Sequence, residues 1–178
     1  MIVGVFGTWR AQRGDPVYHL AEEFGRSLAQ AGHAVLTGGY AGVMEAANRG
    51  AAEVGGRSIG ITCPEIDRHL AMNPWVNDPI RESDLPARLA TCFRLIQAAL
   101  FLPGRSGTIT ELALALEMRE KGILPHPVFL TCNYWDGFIS ACRETNCALD
   151  YPSSKSLGTR AVSCKTPRDL ISRLSACS

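Results

Sequence analysis

The sequence predicts an α/β fold, a doubly wound domain spanning residues 1–178 with a mainly parallel sheet flanked by helices. Two observations carry this expectation. Short, β-branched apolar runs alternate with amphipathic stretches from end to end, and such alternation requires crossover connections between parallel strands. Three of the runs also end in glycine-rich loops, as strands do where they meet a ligand edge.

The first run, Ile2 to Phe6, is continuously apolar and ends at Gly7, as in a strand buried on both faces. From Pro16 to Gly32 the apolar positions Val17, Leu20, Ala21, Phe24, Leu28 and Ala31 recur at helical spacing. Asp15 offers an N-cap before Pro16, and Gly32 closes the helix. Ala34 to Thr37 forms a second strand, running into Gly38-Gly39 and a helix from about Gly42 to Gly55. Ser58 to Thr62 is the third. Residues 63–83 hold three prolines and mixed charges, which predicts an irregular crossover.

Asp84 to Gln97 is then helical, and Ala98 to Leu102 is strand four. A helix from Thr108 to Lys121 stops at Gly122, Pro127 to Thr131 is strand five, and Trp135 to Thr145 is helical. A weak strand at Ala161 to Ser163 precedes a last helix capped by Thr166 before Pro167. The whole reads as one Rossmann-like domain without repeat or linker.

Composition narrows the functional classes. At 178 residues and a formal charge of +1, the chain lacks the basic surplus of a nucleic-acid binder. No apolar run approaches the length of a membrane span, and the start of the chain is too short and uncharged for a signal peptide, so a cytoplasmic location is expected. The cysteines at 63, 92, 132, 142, 147, 164 and 177 are odd in number and contain no Cys-x-x-Cys pair. They are read as reduced thiols, with no metal site. His19, His33, His69 and His126 are scattered and take loop or surface places.

The chemistry is expected at the strand ends. Gly7-Thr8, the segment Thr37 to Gly42, and Pro103-Gly104-Arg105-Ser106-Gly107-Thr108 each follow a strand. Helix starts carry unpaired N–H groups and partial positive charge, so three such loops on one sheet edge favour a phosphate-bearing ligand over simple tight turns. The last loop is the expected phosphate seat. Neither Gly-x-Gly-x-x-Gly nor Gly-x-x-x-x-Gly-Lys-Ser/Thr is present, which disfavours a dinucleotide or a P-loop site. Glu111, four residues after Gly107, reads equally as an acid stabilising its helix start or as a group beside a bound sugar. Arg88, alone on the preceding helix, reads as a solvated surface residue. Trp75 and Met72 offer either a cover for a base or a local anchor.

At these residues the chain resembles the LOG (LONELY GUY) family. Gly38-Gly39-Tyr40-Ala41-Gly42-Val43-Met44 matches that family's Gly-Gly-x-x-x-Gly-x-Met. Pro103-Gly104-Arg105-Ser106-Gly107-Thr108-Ile109-Thr110-Glu111 matches its Pro-Gly-Gly-x-Gly-Thr-x-x-Glu. The likeness runs over roughly residues 2–131. It implies hydrolysis of the N-glycosidic bond of a nucleoside 5′-monophosphate to free base and ribose 5-phosphate, without a cofactor and in a homodimer. It also places Arg88 and Glu111 on the catalytic pair. Gly7, Thr8, Gly38, Gly39, Gly42, Met44, Gly104, Arg105, Ser106, Gly107 and Thr108 fall in the substrate-binding loops.

The chain departs from the pattern at Arg105, at Leu89 for a lysine, and at Thr110 for a glutamate. These departures keep a second reading open, a non-catalytic binder or carrier of a nucleotide or phosphorylated cofactor, as in molybdenum-cofactor carriers. Amino-acid decarboxylation needs pyridoxal phosphate on a lysine, and none of Lys121, Lys155 and Lys165 follows a phosphate loop.

Overall fold

The computed structural model describes residues 1–148 and 161–176; Lys155 and Cys177 lie outside them. The strands are β1 (Ile2–Phe6), β2 (Ala34–Thr37), β3 (Ser58–Thr62), β4 (Asp78–Arg81), β5 (Ala98–Phe101), β6 (Val128–Leu130) and β7 (Ala161–Ser163). They form a seven-stranded sheet in the order β4-β3-β2-β1-β5-β6-β7. Every pairing is parallel, with Val3 opposite both Val35 of β2 and Ala98 of β5. The expected Rossmann-like α/β architecture is therefore the observed one.

Helices α1 (Pro16–Gln30), α2 (Val43–Glu53) and α7 (Pro167–Ala176) cover one face. Helices α4 (Leu85–Leu95), α5 (Ser106–Glu120) and α6 (Asp136–Ala148) cover the other. Alternate side chains of each strand feed opposite cores, so Val3 and Val5 meet Phe24 and Leu28, while Phe6 stacks on Phe101 at 5.0 Å. Both faces are buried, which is why the strands are continuous apolar runs rather than alternating ones.

Three expectations are corrected. Residues 63–83 are not wholly irregular, because they contain a short helix α3 (Pro64–Asp67) and the edge strand β4. Asp-Pro-Ile-Arg carries one apolar residue besides a proline. An edge strand tolerates that proline, because its missing N–H faces away from the ladder. Asp15 occupies the N-cap position of α1, but its carboxylate accepts from the Gln12 N–H at 2.8 Å instead of capping the helix. Helix α5 starts at Ser106, two residues before the expected Thr108.

Thr166 acts as read, accepting from the Asp169 N–H at 3.2 Å, and Asp84 caps α4 by accepting from the Ala87 N–H at 2.8 Å. Cys63, Cys92, Cys132, Cys142 and Cys164 are free thiols. His126 is buried rather than superficial, and its Nδ1 has no hydrogen-bond partner among the described residues. No helix among the described residues is long and apolar enough to cross a membrane.

Candidate functional site

From β1 the chain steps outward through β2, β3 and β4, then returns to place β5 on the other side of β1. The loops after β1 and β5 therefore diverge to opposite faces and leave a crevice between them, where parallel sheets bind ligands. The Thr8 N–H donates to the Pro103 carbonyl at 2.9 Å, and the Val43 N–H donates to the Thr8 carbonyl at 2.9 Å. All three expected loops are thus tied together across β1.

They enclose a cavity of about 310 Å³. Gly7 and Thr8 line it from β1, Gly38 and Met44 from the loop and helix after β2, and Arg105, Ser106, Gly107 and Thr108 from the start of α5. Arg88 and Glu111 line it as well. Gly39, Gly42 and Gly104 do not line it but shape its walls. A Cβ on Gly42, whose φ is 71°, would overlap the Thr8 carbonyl and the Trp9 backbone. One on Gly104 would overlap the Thr108 side chain, and the Tyr134 hydroxyl fixes this turn by donating to the Gly104 carbonyl at 2.7 Å.

The β2 loop rests on a buried polar hub. Asn48 accepts from the Thr37 hydroxyl at 2.7 Å and from Asn73 Nδ2 at 3.0 Å, and donates to the Ser58 hydroxyl at 2.8 Å. Thr37 in turn accepts from the Gly39 N–H at 2.9 Å, and Asn73 donates to the Tyr40 carbonyl at 2.9 Å. This hub is invisible to hydrophobic periodicity, because its members are spread over four separate segments.

Arg88 is not the solvated residue that its isolation on a helix suggested: it is 4% exposed. From the first turns of α4 its Nε donates to the Ile61 carbonyl at 2.7 Å, its guanidinium lies 5.7 Å from the Tyr40 ring, and a terminal nitrogen packs on Gly38. No carboxylate forms a salt bridge with it among the described residues. A buried cation without a bonded counter-charge is costly unless a ligand supplies the charge.

Glu111 lies in the second turn of α5 rather than the first, because the helix begins earlier than expected. There the helix dipole is largely spent, and packing decides its state instead. Burial pushes its carboxyl up from 4.5 to about 7, against the opposing pull of Arg88. Part of the side chain still faces the cavity, and no hydrogen bond or ion pair holds it among the described residues. Cys92, one turn beyond Arg88, is pushed to about 12 by burial, so it is an inert thiol beneath the pair.

The N-terminal N–H groups of α5 are uncapped: Arg105 occupies the N-cap position and its side chain accepts no helix hydrogen bond. That helix start faces the cavity through Ser106 and Gly107, a ready anion seat. Trp75 and Met72 do not line the cavity; the Arg49 guanidinium lies 5.6 Å over the Trp75 ring, and Met72 is 44% exposed. The apolar wall comes instead from Trp9, Ile66 and Leu70, together with the Tyr40 ring. Trp9 stands two residues after Gly7 in the β1 loop, next to the expected Gly7-Thr8 pair, and sequence reasoning passed it over.

The model of the SLOG cluster4 family matches residues 1–136. This chain belongs to that family. A member-like relative is an uncharacterized protein of Archaeoglobus fulgidus, 31% identical over 73% of this chain and 83% of its own. The pyrimidine/purine nucleotide 5′-monophosphate nucleosidase of Escherichia coli K12 is 35% identical over 62% of the chain, which spans only 25% of that enzyme. Among solved structures, the molybdenum cofactor carrier protein of Chlamydomonas reinhardtii superposes with a TM-score of 0.71 at 26% identity. That likeness covers 99% of this chain and 96% of the carrier. The SLOG cluster4 match takes in both glycine loops, Arg88 and Glu111.

Proposed function

We propose that this SLOG cluster4 protein binds a nucleoside 5′-monophosphate and hydrolyses its N-glycosidic bond. The observation that carries the reading is one cavity holding an uncapped helix start, a buried guanidinium and a carboxyl whose pKa is raised to about 7. The partial likeness to the Escherichia coli nucleosidase supports it.

In this reading the 5′-phosphate rests on the amides of Ser106, Gly107 and Thr108, with the Thr108 hydroxyl beneath. Preorganised backbone donors need no rearrangement to hold an anion. The ribose extends one turn along α5 to Glu111, and the base lies toward Trp9 and Leu70. The bond from C1′ to the base nitrogen breaks with its electron pair leaving on the base. Water adds its oxygen at C1′, and its proton balances the departing nitrogen. Ionised Glu111 orients that water and offsets the cationic charge growing on the ribose, as carboxylates do in glycosidases. Arg88 hydrogen-bonds the departing base and fixes Glu111 from across the cavity.

A carrier that holds a phosphorylated ligand without cleaving it is the second reading. The near full-length likeness to the Chlamydomonas carrier favours it, as do Arg105 at the end of the loop and Thr110 in α5. Incubation with a panel of nucleoside 5′-monophosphates, followed by chromatography of the free bases, separates the two. Release of base and ribose 5-phosphate supports the hydrolase. Stoichiometric retention of a ligand that elutes unchanged supports the carrier and overturns the hydrolase.

A further inference from the structure

Beyond Trp9 the cavity does not end. A second chamber of about 610 Å³ adjoins it, and Trp9 and Leu70 line both. Trp9 is 46% exposed and forms the wall that the two share, an apolar ring face open to a ligand. Its loop is not slack. The Arg10 N–H donates to the Thr8 hydroxyl at 3.2 Å, and the Asp15 N–H donates to the Gln12 carbonyl at 2.9 Å.

The charges of the second chamber are Arg10, Arg13 and Glu45. Glu45 is already answered, accepting from Arg13 at 3.2 Å and from the Tyr18 hydroxyl at 3.2 Å. Arg10 has no carboxylate partner among the described residues; its guanidinium lies 5.2 Å from the Trp9 ring centroid. The chamber therefore keeps a surplus of one positive charge, poised over an aromatic face. With the phosphate on α5, a base lying toward Trp9 directs any substituent into this chamber.

We infer that the substrate is a nucleoside 5′-monophosphate whose base stacks on Trp9 and carries an anionic arm that Arg10 binds in the second chamber. The inference rests on the near cavity holding the phosphoribosyl group. An apolar arm gains nothing there, because it would strip water from Arg10 and Glu45 without replacing their hydrogen bonds. A carboxylate or phosphate replaces that water with charge-assisted bonds, which guanidinium geometry suits.

Calorimetric titration of the full-length Glu111→Gln protein, which cannot consume its ligand in this reading, tests the inference. The probes are adenosine 5′-monophosphate and its N6-(1,2-dicarboxyethyl) and N6-benzyl derivatives. The dicarboxylate arm is expected to raise affinity about tenfold over the parent nucleotide, and the benzyl arm not at all. Arg10→Ala should bring the ratio of the two affinities close to one. Equal binding of parent and dicarboxylate, or a ratio that survives Arg10→Ala, overturns the anionic-arm inference while the near-cavity reading stands. If none of the three nucleotides binds, both readings fall.

Discussion

A terminal nitrogen of Arg88 packs directly on the α-carbon of Gly38, in the space a Cβ would need. The first family motif and the candidate catalytic arginine, fifty residues apart in the chain, are thus one contact in space. Gly38 is glycine because Arg88 must pass it to reach the cavity. Gly38→Ala therefore displaces the guanidinium while leaving the backbone intact. Base release is expected to fall about 100-fold, the scale of a misplaced catalytic group, with little change in melting temperature. An unaltered rate would remove Arg88 from the proposed mechanism.

Glu111 gives two opposed pH trends. Its folded pKa of about 7 lies above the ordinary 4.5, so its contribution to stability is fully present below pH 4.5 and is lost as pH rises through about 7. Hydrolysis needs the ionised form and should rise over the upper part of the same window. Glu111→Gln should abolish both trends, making the protein more stable than the parent at pH 8 by about 3 kcal/mol. Base release should fall about 10²–10⁴-fold. Denaturant unfolding at pH 5 and pH 8, beside a rate profile, measures both.

Gly42 is a different case, because its neighbour is backbone. Its φ of 71° and the Thr8 carbonyl both oppose a side chain, and neither can give cheaply. Gly42→Ala is expected to cost about 2–4 kcal/mol in urea unfolding. A loss under 1 kcal/mol would show that the β1 loop yields.

Asn48 stands at the centre of the hub under the β2 loop. Asn48→Ala removes one buried hydrogen-bond partner from each of Thr37, Ser58 and Asn73, which should cost about 3 kcal/mol or more. Faster amide exchange at Gly39 and Tyr40 would accompany it; unchanged protection there would mean that the loop holds its own shape.

The parts legible in the sequence were those governed by one strong local signal. Continuous apolar runs located β1, β2, β3 and β5, and the capping residue Thr166 located α7. Strand β4 escaped because its pairing with β3 depends on backbone hydrogen bonds at an edge, not on an apolar run. The loops of the candidate site were legible through their glycines. Burial of Arg88 was not, because it depends on Ile61 and Tyr40 meeting the arginine from two other strands' ends. Trp9 and its neighbouring chamber were illegible for the same reason: one exposed aromatic in a loop has no periodicity to betray it.

The order of the sheet carries a consequence for how the chain is made. β1 precedes β2, β3 and β4 in the chain, yet it also pairs with β5, and the Ile2 amide closes onto the Gln97 side chain 95 residues away. Until that later segment leaves the ribosome, one edge of this apolar strand stays unpaired beside already formed neighbours. An open apolar edge invites other chains. Nascent chains that expose β1 to β4 while β5 is still inside the exit tunnel should therefore need chaperone protection, and chains from which β5 has fully emerged should need less.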